Sequence, residues 1–362
     1  MPAVLVRLPC GMHMAALLLS AELWISGGRV LDGGALRASA IAIDHGRIAG
    51  EASRPPAGAR TLDAKGLVLL PAFIDAHVHL SVAGQVDEVA RAEVRGGIAA
   101  VLDLGEPERL LPLSTSPLRA RFSGPLLTAP RGYPTQSWGA AGYGLELATA
   151  GEAREAVQRL AKTGARVAKL AFDRRYPLLD DEVARAAVDE AHRLGLLAAA
   201  HALDVEMVQR AMQAGADVLA HTPVEPLPDD LVAAIGARRT WVISTLHAFG
   251  GSPQAVANLR RLRSAGARIA YGTDLGNEGT APGIDARELA LLAQAGFSTA
   301  ETIAAATSAA AELLGERDLG RLTKGAAASL IGVREEAMKD VRLLAQPRLV
   351  VIDGAPMSAA PR

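Results

Sequence analysis

The sequence predicts an α/β fold: a (β/α)8 barrel with a small β-sandwich-like domain built from both chain ends. Three observations predict it. The chain has 362 residues, a length that suits one barrel-sized domain plus a minor one. From Ala72 to about Gly315, apolar strand-like runs alternate with amphipathic stretches of about ten to fifteen residues, the texture of repeated βα units. On either side of that region, short β-rich runs are broken by Gly, Asp and Pro.

Taken in order, residues 1–21 form an N-terminal extension. Met1 to Ser20 is apolar, but Arg7, Pro9, Gly11 and His13 interrupt it, so it is not expected to span a bilayer. Ala15 to Ala21 meets the requirement for a secretory core only marginally, and Met12 and Met14 offer later starts. Residues 22–70 are the first part of the small domain, with runs at Leu23–Leu31, Ala40–Ile48 and Gly66–Leu70 that read as an antiparallel sheet. Residues 71–316 are the barrel. Its eight candidate strands are Phe73–Leu80, Ile98–Leu104, Pro125–Ala129, Val167–Phe172, Leu196–His201, Val218–His221, Trp241–Leu246 and Arg268–Asp274. One intervening helix shows the logic: Asp180 or Asp181 caps it, Val183, Ala187, Ala191 and Leu194 recur at helical spacing, and Gly195 ends it. Residues 317–362 return to the small domain through Ala328–Val333 and Leu349–Asp353.

Lys and Arg number 38 against 39 for Asp and Glu, so net charge gives neither nucleic acid nor a membrane surface a general attraction. Cys10 is the only cysteine, which excludes an intrachain disulfide and a Cys-based metal site and fits a reducing cytoplasm. Half the residues are hydrophobic yet only 3% are aromatic, so the positions of the aromatics become informative.

The chemistry is concentrated at predicted strand ends. His77 and His79 sit two apart on a strand, so both imidazoles and Asp75 project to one side. His201, His221 and Asp274 each fall at the carboxyl end of another strand, the barrel face where catalytic groups collect. One buried histidine alone is more often a hydrogen-bonded core residue. The set argues for a divalent cation held by imidazoles and a carboxylate, acting as Lewis acid and lowering the pKa of water toward about 7. Zinc suits this His-rich, Cys-free set, and iron or manganese would also fit. His192, within a helix, and His45, in a polar turn, carry no such expectation.

These segments resemble a known family. LPAFIDAHVHL looks like the first-strand signature of the amidohydrolase superfamily, AAAHALD and DVLAHTP resemble its fifth and sixth strands, and YGTDLG its eighth. GARVAKLAFD and GRLTKGAAASL are similar to the fourth strand and the return segment of its imidazolonepropionase-like and prolidase-like members. The likeness covers roughly Leu23 to Asp353. Ala72 stands where the family usually has Gly, and Ser329 where it usually has Asp. The resemblance implies that His77 and His79 hold a first metal, that His201 and His221 hold a second or contact substrate, and that Asp274 is both ligand and general base. For Lys169 it implies carbamylation and bridging of two metals, which we favour over the plain reading of a lysine paired with an acidic neighbour such as Asp173. One metal or two stays open.

The scarce aromatics gather in loops at the barrel mouth: Tyr133, Trp138 and Tyr143 after the third strand, Tyr176 after the fourth, His247 and Phe249 after the seventh. Tyr133, Trp138, Tyr143, Tyr176 and His247 are the expected substrate contacts, for a small molecule carrying an aromatic or planar group. Arg131, Arg174 and Arg175 lie nearby, each read foremost as solvated surface and otherwise as a partner for a ligand carboxylate or phenolate. The leading function is hydrolysis of a C–N bond in a cyclic amide, imide or related ring, or in an N-acyl compound. The alternative is the same centre run as a cyclodehydratase closing a nitrogen ring. A non-catalytic barrel scaffold should have lost ligands, which this chain has not. Homo-oligomerisation is left open.

Overall fold

In the computed structural model, residues 21–32 and 35–357 are described. The extension and the alternative starts, except Ala21, lie outside them. No helix among the described residues is long and apolar enough to cross a membrane.

The barrel is a ring of eight staves. The first strand, Phe73–Val78, is buried throughout and pairs in parallel with the second, Ile98–Asp103. The third stave is broken: Arg119–Phe122 pairs with the second strand, and Leu126–Thr128 pairs onward with the fourth, Val167–Ala171. The sequence pointed only to its second half, because Arg119 and Arg121 interrupt the apolar pattern of the first. The fifth (Leu197–His201), sixth (Val218–Leu219), seventh (Trp241–Ile243) and eighth (Arg268–Ala270) strands follow in order, all parallel. Closure onto the first strand runs past the end of the eighth. Ala76 N–H donates to Tyr271 O, Asp274 N–H to His77 O and His79 N–H to Leu275 O, at 2.7–2.9 Å. That seam places both ends of the sequence motif in one locale.

The helices around the ring pack through small side chains, as the alanine content predicts. Ala153 and Ala156 of helix Ala150–Lys162 are buried, as are Ala184, Ala187 and Ala191 of helix Asp181–Arg193. Thr149 caps the first of these in a capping box with Glu152. Asp180 occupies the N-cap position of the second, but no side-chain capping bond forms, and Asp181 instead pairs with Arg210 at 2.7 Å. Gly195, at φ +75°, follows its end as expected.

The small domain is one eight-stranded sheet drawn from both chain ends. The join is the antiparallel pairing of Leu67–Pro71 with Leu330–Arg334. The sheet is mixed rather than antiparallel, since Leu23–Asp32 runs parallel to both Thr61–Asp63 and Leu67–Pro71. The run Ala40–Ile48 is not one strand: it turns at His45 and Gly46, both at positive φ, into the hairpin of Ala35–Asp44 with Arg47–Ala52. Alternate residues of the first strand enter different apolar clusters, Leu23 and Ile25 on one side and Trp24 on the other, so the sheet is covered on both faces. Ala72 and Ser329 meet here, the Ala72 N–H donating to Ser329 O at 3.0 Å, and Ser329 Oγ accepts from Asp353 N–H at 3.0 Å. The Ser329 hydroxyl in turn donates to Asp353 Oδ1 at 3.3 Å, so a neighbouring carboxylate stands at the join.

Candidate metal centre

The first strand delivers three side chains to one side, and they do different things. Asp75 faces the barrel seam, accepting from His77 N–H and Thr273 N–H at 3.0 Å and from Thr273 Oγ at 2.6 Å. Burial pushes its carboxyl up to about 7 against those bonds. It is a positioning group, not a ligand. His77 and His79 face inward.

Their tautomers follow from their partners. His77 Nδ1 lies 2.8 Å from Ala220 O, and His79 Nδ1 lies 3.4 Å from Gly105 O. A carbonyl only accepts, so each Nδ1 carries the proton and each Nε2 presents a lone pair. The two Nε2 atoms lie 3.3 Å apart, and both sit within 3.2–3.3 Å of Asp274 Oδ1. Burial holds His77 well below its usual range, so the ring is neutral. Burial raises the Asp274 carboxyl, and only positive charge beside it, on the surrounding rings or on a cation held between them, reverses that. Three electron-pair donors therefore converge with no proton to share. Asp274 Oδ1 is buried without an acceptable hydrogen bond, as is His201 Nε2. Such orphaned donors are what a cation resolves, so the residues fit a divalent metal.

Local backbone holds this geometry. Asp274 itself sits at φ +57°, a conformation costly for a side-chain-bearing residue, and Asn277 N–H and Nδ2 both donate to its carbonyl. A Cβ on Gly105 would come 2.6 Å from His79 Cε1, so only glycine lets that loop approach the ring.

The second half of the centre comes from strands four to six. His201 Nδ1 is 3.0 Å from His221 Nε2, and His221 Nδ1 is 3.2 Å from Thr245 Oγ and 3.7 Å from Asp274 Oδ2. Burial, then Lys169, lowers His201 to about 3, and burial also drives His221 down. His77, His221 and Asp274 offer ligand atoms within 4.8 Å of one another. Lys169 is 1% exposed, and burial lowers its ammonium to about 7 against the pull of Asp274 and Asp103. Asp173, the alternative partner, is bonded to Arg175 through both oxygens, at 2.6 and 3.0 Å.

The centre opens into a cavity of about 260 Å³ lined by Tyr133, Trp138, Lys169, Arg175 and Phe249 among others. The remaining predicted contacts lie elsewhere. Tyr143 packs on Trp138 and bonds Ser81 Oγ at 2.8 Å; Tyr176 packs on Tyr133. His247 turns away to Asp285, 2.5 Å from Nδ1. Arg174 pairs with Glu225 at 2.7 Å. Sequence reasoning missed Asp103, buried at the end of the second strand, where it accepts from Leu80 N–H and Gly105 N–H. Its strand-end position carried the same signal as His201. Val82 and Asn277, which line the mouth, carried none.

The amidohydrolase family model matches residues 68–356. A Mycobacterium tuberculosis protein described only as uncharacterized is 29% identical over 346 residues, 85% of this chain and 89% of its own length. A dihydroorotase of Anaeromyxobacter dehalogenans is 34% identical over 201 residues, 52% of this chain and 44% of its own. Among solved structures, a Xaa-Pro dipeptidase with bound methionine superposes with a TM-score of 0.80 at 20% identity, covering 92% of this chain and 99% of that one.

Proposed function

This chain belongs to the amidohydrolase family, and from that premise we propose that it hydrolyses a C–N bond in a small amide, a ring or an N-acyl compound. The observation that carries the reading is the convergence of His77 Nε2, His79 Nε2 and Asp274 Oδ1, three electron-pair donors without a shared proton. These residues would hold a first divalent cation, zinc by the chemistry of the donors, and His201 and His221 a second, with Lys169 carbamylated between them. When bound, such a cation supplies Lewis acidity that polarises a carbonyl and makes water more acidic. Asp274 takes the proton of the attacking water at its carboxylate and returns it to the leaving nitrogen as the C–N bond breaks.

The cavity wall supports an apolar or planar group on the substrate. Val82 and Trp138, two large hydrophobic side chains exposed by 38% and 39%, both line it, with Leu126, Leu203 and Phe249 deeper. The test is metal analysis of purified protein followed by turnover of a panel of cyclic amides, imides and N-acyl amino compounds with and without chelator. Metal in stoichiometric amount and chelator-sensitive release of amine support the reading. Metal-free protein with unimpaired activity overturns it.

A further inference from the structure

The loop spanning residues 130–143 crosses the centre through one pair of side chains. Tyr133 lies face to face with His201, centroids 4.7 Å apart and planes 27° from parallel. Trp138 meets His79 edge-on at 5.2 Å. Trp138 Nε1–H donates to the Tyr133 hydroxyl at 2.9 Å. One hydrogen bond therefore completes a strap from a histidine of the first strand to a histidine of the fifth.

That bond settles how the phenol is used. An indole N–H only donates, so the phenol oxygen is the acceptor and its own proton is directed elsewhere. Among the described residues that proton meets no acceptor. Tyr133 lines the cavity together with Lys169, His201 and Asp274. The hydroxyl is thus an available donor at the wall of the centre, protonated at neutral pH as a phenol ordinarily is.

The strap is tied down at both ends. A Cβ on Gly132 would come 2.1 Å from Thr128 Oγ and 2.9 Å from Pro177 O, so the chain beside Tyr133 is pressed against its neighbours. Gly132 N–H donates to Ala129 O at 2.7 Å, and Arg109 Nη1 donates to Ala141 O at 2.6 Å beyond Trp138. Tyr143 is tethered to Ser81. A donor held this way needs little reorganisation when charge develops near it.

We propose that the Tyr133 hydroxyl binds the carbonyl oxygen of the substrate and tightens on it as it becomes an oxyanion, with Trp138 as the residue that orients it. The proposal rests on the hydrolytic reading above. As the water oxygen bonds to the carbonyl carbon, the C=O π pair moves onto the carbonyl oxygen, where the Tyr133 O–H donates to it. When the pair returns, the C–N bond breaks and the nitrogen leaves with the proton held by Asp274. Tyr133 keeps its own proton throughout. A hydrogen bond to the anionic oxygen is roughly twice as strong as one to the neutral carbonyl, so the contact favours the transition state.

The test compares zinc-loaded wild type, Tyr133→Phe and Trp138→Phe, using methylphosphonate as a tetrahedral anionic probe in calorimetry. Tyr133→Phe keeps the ring on His201 and should keep the wild-type zinc content. It is expected to bind methylphosphonate at least about tenfold more weakly, and, on any substrate the panel yields, to lower kcat by about 10²-fold with little change in KM. Trp138→Phe should show a smaller loss of both. Equal methylphosphonate affinity in wild type and Tyr133→Phe overturns the proposal, as does zinc-loaded wild type that does not bind the probe. Wild type that takes up neither zinc, iron nor manganese overturns the hydrolytic reading itself, a result the metal measurement distinguishes from the other two.

Discussion

Asp75 and Thr273 join the first barrel strand to the segment following the eighth: the Thr273 hydroxyl donates to Asp75 Oδ2 at 2.6 Å, and its N–H to Oδ1 at 3.0 Å. The same carboxylate accepts from His77 N–H. One buried side chain thereby ties the seam of the barrel to the strand that carries both first-strand ligands. Replacing Thr273 by Val removes the hydroxyl and leaves a buried carboxylate oxygen without its donor, at a cost of about 1–3 kcal/mol. Urea unfolding should register that loss, and metal affinity should fall with it. Unchanged stability and affinity would show that the seam is held by its backbone bonds alone.

Asp274→Asn is expected to abolish nearly all turnover and leave the barrel folded, because an amide neither takes the proton nor adds charge to a cation. Circular dichroism checks the fold and steady-state kinetics the activity. Retention of more than about a tenth of wild-type turnover would move the base elsewhere, most simply to a histidine of the centre.

Gly105→Ala tests the support beneath a ligand. The new methyl would come 2.6 Å from His79 Cε1 and 2.9 Å from Leu126 Cδ1, so the ring must shift. Metal affinity, measured by competition with a chelator, should drop about 10–100-fold, the usual penalty for disturbing the groups behind a ligand. The overall fold should survive.

Lys169→Ala separates one metal from two. With a carbamylated lysine bridging the centre, the variant should lose one metal equivalent and most activity, and short carboxylic acids should restore part of both. Metal content near one in wild type and variant alike, with an effect mainly on KM, would establish a single-metal site.

Glu288 provides a pH test away from the ligands. It is fully buried and accepts from His247 N–H at 2.7 Å, and burial outweighs the hydrogen bonds it receives and raises its carboxyl to about 7. A folded-state pKa raised above the unfolded value near 4.5 means the native state retains a proton that the unfolded state has lost. Its contribution to stability is therefore fully present below about pH 4.5 and declines as pH rises toward 7. Glu288→Gln should flatten that decline and be more stable than wild type at pH 8 by about 1–3 kcal/mol. Parallel denaturation curves at pH 5 and pH 8 check it.

Much of this centre is readable along the chain. The eight staves follow from alternating apolar and amphipathic runs, and five ligand candidates announce themselves as His or Asp at the carboxyl ends of those runs. Such signals are local: a strand's period decides which residues share a side, and a strand's end decides which rim they reach. The broken third stave was half visible, because the arginines of Arg119–Phe122 serve an ion network to Glu316, Asp318 and Asp353 that only the folded chain assembles. Aromatic placement was legible as a cluster but not as contacts. His247 and Phe249 share a loop, yet His247 bonds Asp285 while Phe249 packs on His221.

The sequence by itself determined the fold class, the order of the staves and the residues gathered at one rim, since each of these depends on periodicity and on residue type at a strand end. Only the tertiary structure decided the tautomers of His77 and His79, the allocation of Asp75 to the seam, the capture of Asp173 by Arg175 and the direction of the Tyr133 proton. For His77, His79 and Asp75 the partner comes from a segment 143, 26 and 198 residues away, whereas Arg175 and Trp138 are near in sequence to Asp173 and Tyr133 and meet them only through the conformation of their loops. A hydrogen bond within about 3 Å has no signature in spacing along the chain when its two partners meet only through closure of the barrel.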